Sequence, residues 1–381
     1  MIKVLHICAD EKFIDGTISM FVSLKEVFSV FYVFTSHKDK KVFLVKNPNI
    51  ITFSSFDEIP SITNENSPDL VMLHALFIPY HIALKINHPI IWSTWGSDIY
   101  SDIKDPIKKI FHISLYKFHT RTLLRNSIKK NNYCFFHSLK KMIHLHNEQR
   151  RYVRIVKKTS YFSTVLPEEF EKIKQKYPKA KYCPFHYFSD PASQETSETK
   201  VSFVSNRILL GNSNDPTNNH YDILKKLNSL QTPLEIIIPF SYPNNNTTYK
   251  ERLIEVSSLF KNLKITFLHN FLDRNKYFDL LNSCGNAIFG HLRQQAIGNV
   301  LFCLATGKKV FFYDNSILSN HYHNQGYTIF SIDNDLNKTN LYTHLSLPDQ
   351  KNNYSIFLKE WDYNQQLKEL QFFFDHLKIN K

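Results

Sequence analysis

Glycine is scarce in this chain, 8 of 381 residues. No Walker loop, G-x-G-x-x-G run, G-x-S-x-G elbow or H-E-x-x-H pair occurs, so the common glycine-rich phosphate loops and hydrolase signatures are excluded. Each of the few glycines is expected where the backbone needs one. Cysteine is rarer still. The five, at 8, 134, 183, 284 and 303, form no C-x-x-C pair. That argues against a zinc knuckle or a disulfide framework and leaves buried thiols in a reducing compartment. No apolar run approaches the ~20 residues that cross a bilayer. The longest candidate, Val27–Phe34, is short and broken by Ser29. The chain opens directly on the strand-like Ile2–Cys8, without the charged-then-apolar layout of a signal peptide. A cytoplasmic protein is expected, peripheral to the inner face of the plasma membrane.

Acidic residues are also in short supply, 34 against 47 Lys and Arg, for a formal charge of +13. The excess is local. Residues 101–160 hold fifteen Lys/Arg against three acids, a net of +12. One reading is a solvated helical surface. The other is a footprint for an anionic partner, such as lipid head groups or a lipid diphosphate. No nucleic-acid-binding motif accompanies the charge, so no nucleic acid is expected.

A length of 381 residues suggests about two domains. Strand-like runs recur at Ile2–Cys8, Phe31–Phe34, Lys41–Val45, Asp69–His74, Pro89–Trp92 and Tyr133–Phe136. Helical spacing is read at Thr17–Val30, Ile78–Ile86, Pro106–Ile128 and Leu139–His146. Continuous rather than alternating apolar strands point to parallel sheets covered on both faces. The Ser-, Thr- and Glu-rich stretch 189–200 has no large apolar residue and reads as a linker. Alternation restarts after it. Strands are expected within Val201–Leu210 and at Leu234–Phe240, Leu263–Leu268, Asn286–Phe289 and Lys309–Tyr313. Helices are expected at Asn218–Leu230, Thr248–Phe260, Asp273–Ser283, Ile297–Thr306 and Tyr363–Leu377. The expected fold is α/β of the GT-B type, two Rossmann-like doubly wound domains facing across a cleft. The divisions are an N-terminal Rossmann-like domain over 1–188, the linker 189–200, a C-terminal Rossmann-like domain over 201–350, and a helical segment over 351–381.

Four segments carry chemistry. In open α/β sheets, ligands bind beyond the carboxyl ends of strands. Gly211-Asn212-Ser213 ends the first strand of the second half. Gly211 lets backbone approach a ligand, and Asn212 and Ser213 offer short donors to phosphate oxygens; an ordinary strand-to-helix turn is the alternative. Arg293-Gln294-Gln295 leads into a helix opening at Ile297-Gly298-Asn299. A helix N-terminus carries free N–H groups and partial positive charge that suit a diphosphate. Arg293 would clamp it, and Gln294 and Gln295 would read sugar hydroxyls. Tyr242, in Pro239–Pro243, either lines the donor pocket or simply packs. Trp95-Gly96-Ser97-Asp98 follows another strand. Asp98 is the candidate catalytic base for a sugar hydroxyl and Trp95 a stacking surface; a helix cap with core tryptophans is the alternative. Asp333-Asn334-Asp335 reads as an exposed turn. His144/His146 and His321/His323 are i,i+2 pairs that diverge on a helix. No metal and no organic cofactor are expected.

These segments resemble glycosyltransferase family 56, the 4-α-L-fucosyltransferases, which transfer 4-acetamido-4,6-dideoxygalactose in enterobacterial common antigen synthesis. W-x-x-W-G-x-D-[LI]-Y is matched from Trp92 to Tyr100. V-G-N-S-x-D is matched from Leu210 to Asp215, with Leu for Val. P-x-x-Y-P-x-N-N is matched at Pro239, Tyr242, Pro243, Asn245 and Asn246, and R-Q-Q-G-I-G from Arg293 to Gly298 with Ala296 for Gly. The resemblance implies a metal-independent transferase with a dTDP-activated sugar donor and an undecaprenyl-diphosphate-linked acceptor, working at the anionic inner membrane surface on a surface polysaccharide. Two other classes are weighed beside it: a nucleotide-sugar epimerase of the same fold, and a basic scaffold without enzymatic activity that binds membrane or nucleic acid.

Overall fold

The computed structural model describes residues 1–36, 41–101, 107–111, 113–130, 139–187, 207–242 and 247–379. The linker 189–200, the strand expected at Tyr133–Phe136 and the motif residues Pro243, Asn245 and Asn246 lie outside these. The chain divides into two compact units. The first comprises Met1–Ile113, His137–Asp190 and Trp361–Lys381; the second comprises Ser114–Phe136 and Pro191–Glu360.

The first unit is built on seven strands: β1 (Ile2–Ala9), β2 (Val27–Phe34), β3 (Ile51–Phe53), β4 (Leu70–His74), β5 (Ile90–Ser93), β6 (Tyr161–Ser163) and β7 (Lys181–Tyr182). All pairings are parallel, in the order β3-β2-β1-β4-β5-β6-β7. The central strands are apolar at consecutive positions because both faces are covered; every residue of β4 is buried. Phe21, Phe31, Phe185, Leu370 and Phe374 share one core cluster, so the helix Tyr363–Ile379 closes the face that Val4 and Cys8 present. Complete burial of such a side chain contributes about 1.5–3 kcal/mol.

The second unit repeats the plan with six strands: β8 (Arg207–Leu210), β9 (Leu234–Pro239), β10 (Leu263–Leu268), β11 (Asn286–Phe289), β12 (Lys309–Phe312) and β13 (Phe330–Ser331). Their order is β10-β9-β8-β11-β12-β13, again parallel. Each sheet thus reverses direction beside its first strand, between β1 and β4 and between β8 and β11, which is where doubly wound sheets bind ligands.

Three sequence expectations change. The helix expected over Thr17–Val30 stops at Val22, and Val27 and Phe28 open β2 instead. A left-handed residue, Glu26 at φ 56°, turns the chain between them. Lys41–Val45 forms no strand in its described residues; the amide groups of Phe43, Leu44 and Val45 donate to the Asp10 carboxylate at 2.6–3.3 Å. The helix expected over Pro106–Ile128 begins only at Phe118. Ahead of it, Phe111 pairs with Tyr100 in an isolated bridge. Asp222 accepts from the amides of His119 and Thr120 at 2.9 and 2.7 Å, supplying a negative charge to the helix N-terminus from elsewhere in the second unit. Asp273 caps its helix, accepting from the Lys276 amide at 3.0 Å.

Candidate functional site

The switch point of the second sheet collects three of the four expected segments. Gly211 follows β8 with φ +69°, and a Cβ there would lie 2.3 Å from Asn218 Oδ1. Only glycine fits this approach. The next amide, of Asn212, donates to Asn218 Oδ1 at 3.0 Å. Asn212 Nδ2 donates to the Tyr242 hydroxyl at 3.0 Å, and Gln295 Nε2 donates to Asn212 Oδ1 at 3.2 Å. Thr217 Oγ1 donates to Gln295 Oε1 at 2.7 Å. Asn212, Tyr242 and Gln295, which lie up to 83 positions apart in the chain, are therefore bonded to one another. Thr217 and Asn218 hold the group together, and nothing in the sequence distinguishes them from other loop polar residues.

Beneath this lattice, His291 Nε2 pairs with Asn218 Oδ1 at 2.7 Å and His220 Nδ1 with the Tyr249 hydroxyl at 3.1 Å. Burial lowers the pKa of His220 to about 3 and holds that of His291 well below the usual imidazole range, with Arg293 and His220 adding to the latter effect. Both imidazoles are neutral near pH 7.

The helix Ile297–Ala305 starts at the edge of this group with no side chain capping it. Its first internal bond runs from the Val300 amide to the Ala296 carbonyl, so the amides of Ile297, Gly298 and Asn299 point out of the end of the helix. Gly298 is exposed, and a Cβ there would meet nothing within 4 Å. Asn299 Nδ2 donates to the Tyr277 hydroxyl at 2.8 Å. Arg293 is half-buried, with Nη1 donating to the Gln294 carbonyl at 3.0 Å. Gln294 is buried, 9% exposed, and contributes that carbonyl. The arrangement can hold an anion through amides and one guanidinium.

Ala296 precedes this helix at φ +61°. An L-residue there costs about 1–2 kcal/mol relative to a right-handed conformation. Ala296→Gly is expected to raise stability by about 0.5–1 kcal/mol after the added flexibility of the unfolded chain is subtracted. A thermal melt of the two proteins side by side measures it, and a lower midpoint for the glycine variant contradicts the strain.

In the first unit, the loop after β5 is fastened from within. Trp92 is fully buried. The Asp98 carboxylate accepts from Trp92 Nε1 at 2.8 Å and from the amides of Leu76 and Trp95 at 3.0 Å each. Asp98 is 6% exposed; burial raises its pKa and the three donors oppose the rise. The carboxylate read from sequence as a base is, in the structure, the clasp of its own loop. Gly96 turns that loop at φ 81°, and Ser97 is exposed with its carbonyl accepting from Lys109 Nζ at 2.6 Å.

Trp95 is half-buried and joins Phe13 and Tyr187, with ring centroids 5.7–6.3 Å apart across the three pairs. Tyr187 and Phe13 escaped the sequence reading because single aromatics in loops carry no pattern. Below them runs a buried chain of hydrogen bonds. The Tyr187 hydroxyl meets His74 Nδ1 at 2.8 Å, His74 Nε2 meets His6 Nδ1 at 2.9 Å, and His6 Nε2 meets Ser29 Oγ at 3.2 Å. Burial lowers His74 to about 3. The chain holds Tyr187 in place through neutral rings.

Among the described residues, no group of three or more His, Cys, Asp or Glu side chains could hold a metal ion. Among the same residues, no helix is long and apolar enough to cross a membrane.

A family model described as 4-alpha-L-fucosyltransferase, glycosyl transferase group 56, matches residues 171–369. A second, glycosyl transferase 4-like, matches residues 34–127. Among solved structures, sucrose-phosphate synthase from Thermosynechococcus elongatus is similar at TM-score 0.60 and 9% identity, covering 100% of each chain. Anabaena HepE, solved in complex with UDP and glucose, is similar at 0.61 and 12% identity, covering 99% of this chain and 100% of its own. The α,α-trehalose-phosphate synthase (UDP-forming) of Burkholderia vietnamiensis is similar at 0.57 and 9%, covering 98% of this chain and 99% of its own. At these identities the likeness shows the fold, which is GT-B.

Proposed function

Since this chain belongs to the 4-alpha-L-fucosyltransferase family, glycosyl transferase group 56, and is a glycosyltransferase of the GT-B fold, we propose that its second unit binds a nucleoside-diphosphate sugar, dTDP-linked, and its first unit a polyprenyl-diphosphate-linked saccharide. The observation that carries the donor half is the uncapped N-terminus of the helix Ile297–Ala305, set beside the bonded Asn212, Tyr242 and Gln295. The diphosphate takes the three outward amides. Arg293 takes the charge that grows on the leaving diphosphate as the sugar's C1–O bond breaks. The amide groups of Gln295 and Asn212, which are oriented by each other, give the pocket its fixed donors and acceptors. The sugar is of the 4-acetamido-4,6-dideoxygalactose type, the acceptor belongs to a surface polysaccharide, and the work is done at the inner face of the plasma membrane. Support for these comes from the family resemblance together with the basic residues 101–160.

Thermal melts with dTDP, UDP and GDP test the donor. A nucleotide present at about 100 times its Kd adds about 2.7 kcal/mol. The largest upward shift is expected for dTDP. A protein unmoved by all three nucleotides defeats the donor site, and a preference for UDP or GDP replaces thymidine as the donor's base.

A further inference from the structure

We propose that Glu11 is the general base of the acceptor site, a catalytic residue whose carboxylate removes the proton from the attacking sugar hydroxyl. The proposal rests on the glycosyl-transfer reading above and deepens it.

The first sheet reverses between β1 and β4, and the segment that leaves β1 at that point is Asp10-Glu11-Lys12-Phe13, before the helix Ile14–Val22. Ligands of doubly wound sheets sit there. The segment is held on both sides. Asp10 binds the amides of residues 43–45, and Asp15 binds those of Lys46 and Asn47 at 2.9–3.1 Å. Phe13 contacts the Trp95 and Tyr187 rings, which ties the segment to the loop after β5.

Within this fastened turn Glu11 is half-buried, and among the described residues its carboxylate makes no hydrogen bond or ion pair. The other acids of the same edge are occupied: Asp10 and Asp15 by loop amides, Asp98 by Trp92, Leu76 and Trp95. His74 is fully buried with both ring nitrogens engaged. Burial raises the Glu11 pKa, Lys12 opposes the rise and Asp10 adds to it, so the group is a stronger base than an ordinary surface carboxylate.

In the step, the acceptor oxygen forms a bond to C1 of the donor sugar. The C1–O bond to the diphosphate breaks, and its electron pair leaves with the nucleoside diphosphate. The hydroxyl proton passes to Glu11 and from there to water. A single displacement of this kind inverts the anomeric centre.

The test uses the full chain, dTDP-4-acetamido-4,6-dideoxygalactose and an undecaprenyl-diphosphate-linked disaccharide in detergent micelles. Glu11→Gln is expected to lower kcat at least 100-fold, with donor KM within about threefold and an unchanged thermal shift by dTDP. The shift shows that the variant is folded and its donor site intact. Glu11→Asp is expected to recover part of the rate. The wild-type rate should fall toward acid through a pKa above the ordinary glutamate range, and Glu11→Gln should lose that limb. A Glu11→Gln enzyme within threefold of the wild-type kcat overturns the assignment, as does a product that keeps the donor's anomeric configuration. A wild type that binds dTDP yet transfers nothing to this acceptor defeats the acceptor reading itself, and the role of Glu11 with it.

Discussion

Arg293→Ala is expected to lower kcat for sugar transfer by about 10²–10³, the cost of removing one preorganised donor from developing negative charge. The residue stands four positions before the first residue of the uncapped helix, and its Nη1 contact with the Gln294 carbonyl fixes the side chain rather than neutralising it. Among the described residues, its guanidinium thus keeps N–H donors that no other group takes. Arg293→Lys keeps the charge but loses the planar fork, and should fall between wild type and alanine. The side chain is half-buried at the edge of a loop, so folding should survive; unchanged melting temperatures of both variants without nucleotide check this. Near-normal turnover in Arg293→Ala would move the diphosphate away from this helix.

The largest effect on stability is expected at Asp98. Its carboxylate satisfies three buried or half-buried N–H groups, one of them on the fully buried Trp92. Each donor left without an acceptor costs about 1–3 kcal/mol, and the three share one site, so Asp98→Ala should lose about 3–5 kcal/mol. Asp98→Asn should lose less, since its single carbonyl oxygen can serve either the Trp92 and Leu76 pair or Trp95, but not all three. The three tryptophans, 92, 95 and 361, all belong to the first unit, so tryptophan fluorescence in a urea titration follows that unit alone. A midpoint for Asp98→Ala close to wild type would mean that the clasp does not support the loop.

The central strands were the legible part of this fold, whereas the short outer strands β3, β6 and β7 carried too few residues for a pattern. Stretches such as Leu70–Leu73 and Ala287–Phe289 are apolar at consecutive positions over a length too short for most helices, the pattern of a parallel strand covered on both faces. The boundary at Val22 was not legible, because Val27 and Phe28 satisfy helical spacing as well as a strand, and the four residues Ser23–Glu26 between the two elements turn at the left-handed Glu26. The start of the helix at Phe118 depends on Asp222, more than a hundred positions away, which no local pattern contains. At the candidate site, the places where strands end were legible and the bonds between side chains were not. Gly211, Asn212 and Gln295 were recognisable from where strands end, but their mutual bonds needed the sheet to bring them together. Glu11 was missed although the rule that singled out Gly211, the first turn after the first strand of a sheet, applies equally to it. An acid between a strand and a helix is common enough to pass without notice.

Residues 363–379 complete the core of the first unit, with Leu370 and Phe374 wholly enclosed beside Phe21 and Phe31. A chain leaving the ribosome therefore carries an unfinished amino-terminal lobe through the synthesis of the 170 residues between Asp190 and Trp361. The later lobe, whose own pieces end at Glu360, can close first. A gene shortened before residue 363 would yield a protein with a sound second lobe and an exposed aromatic wound in the first.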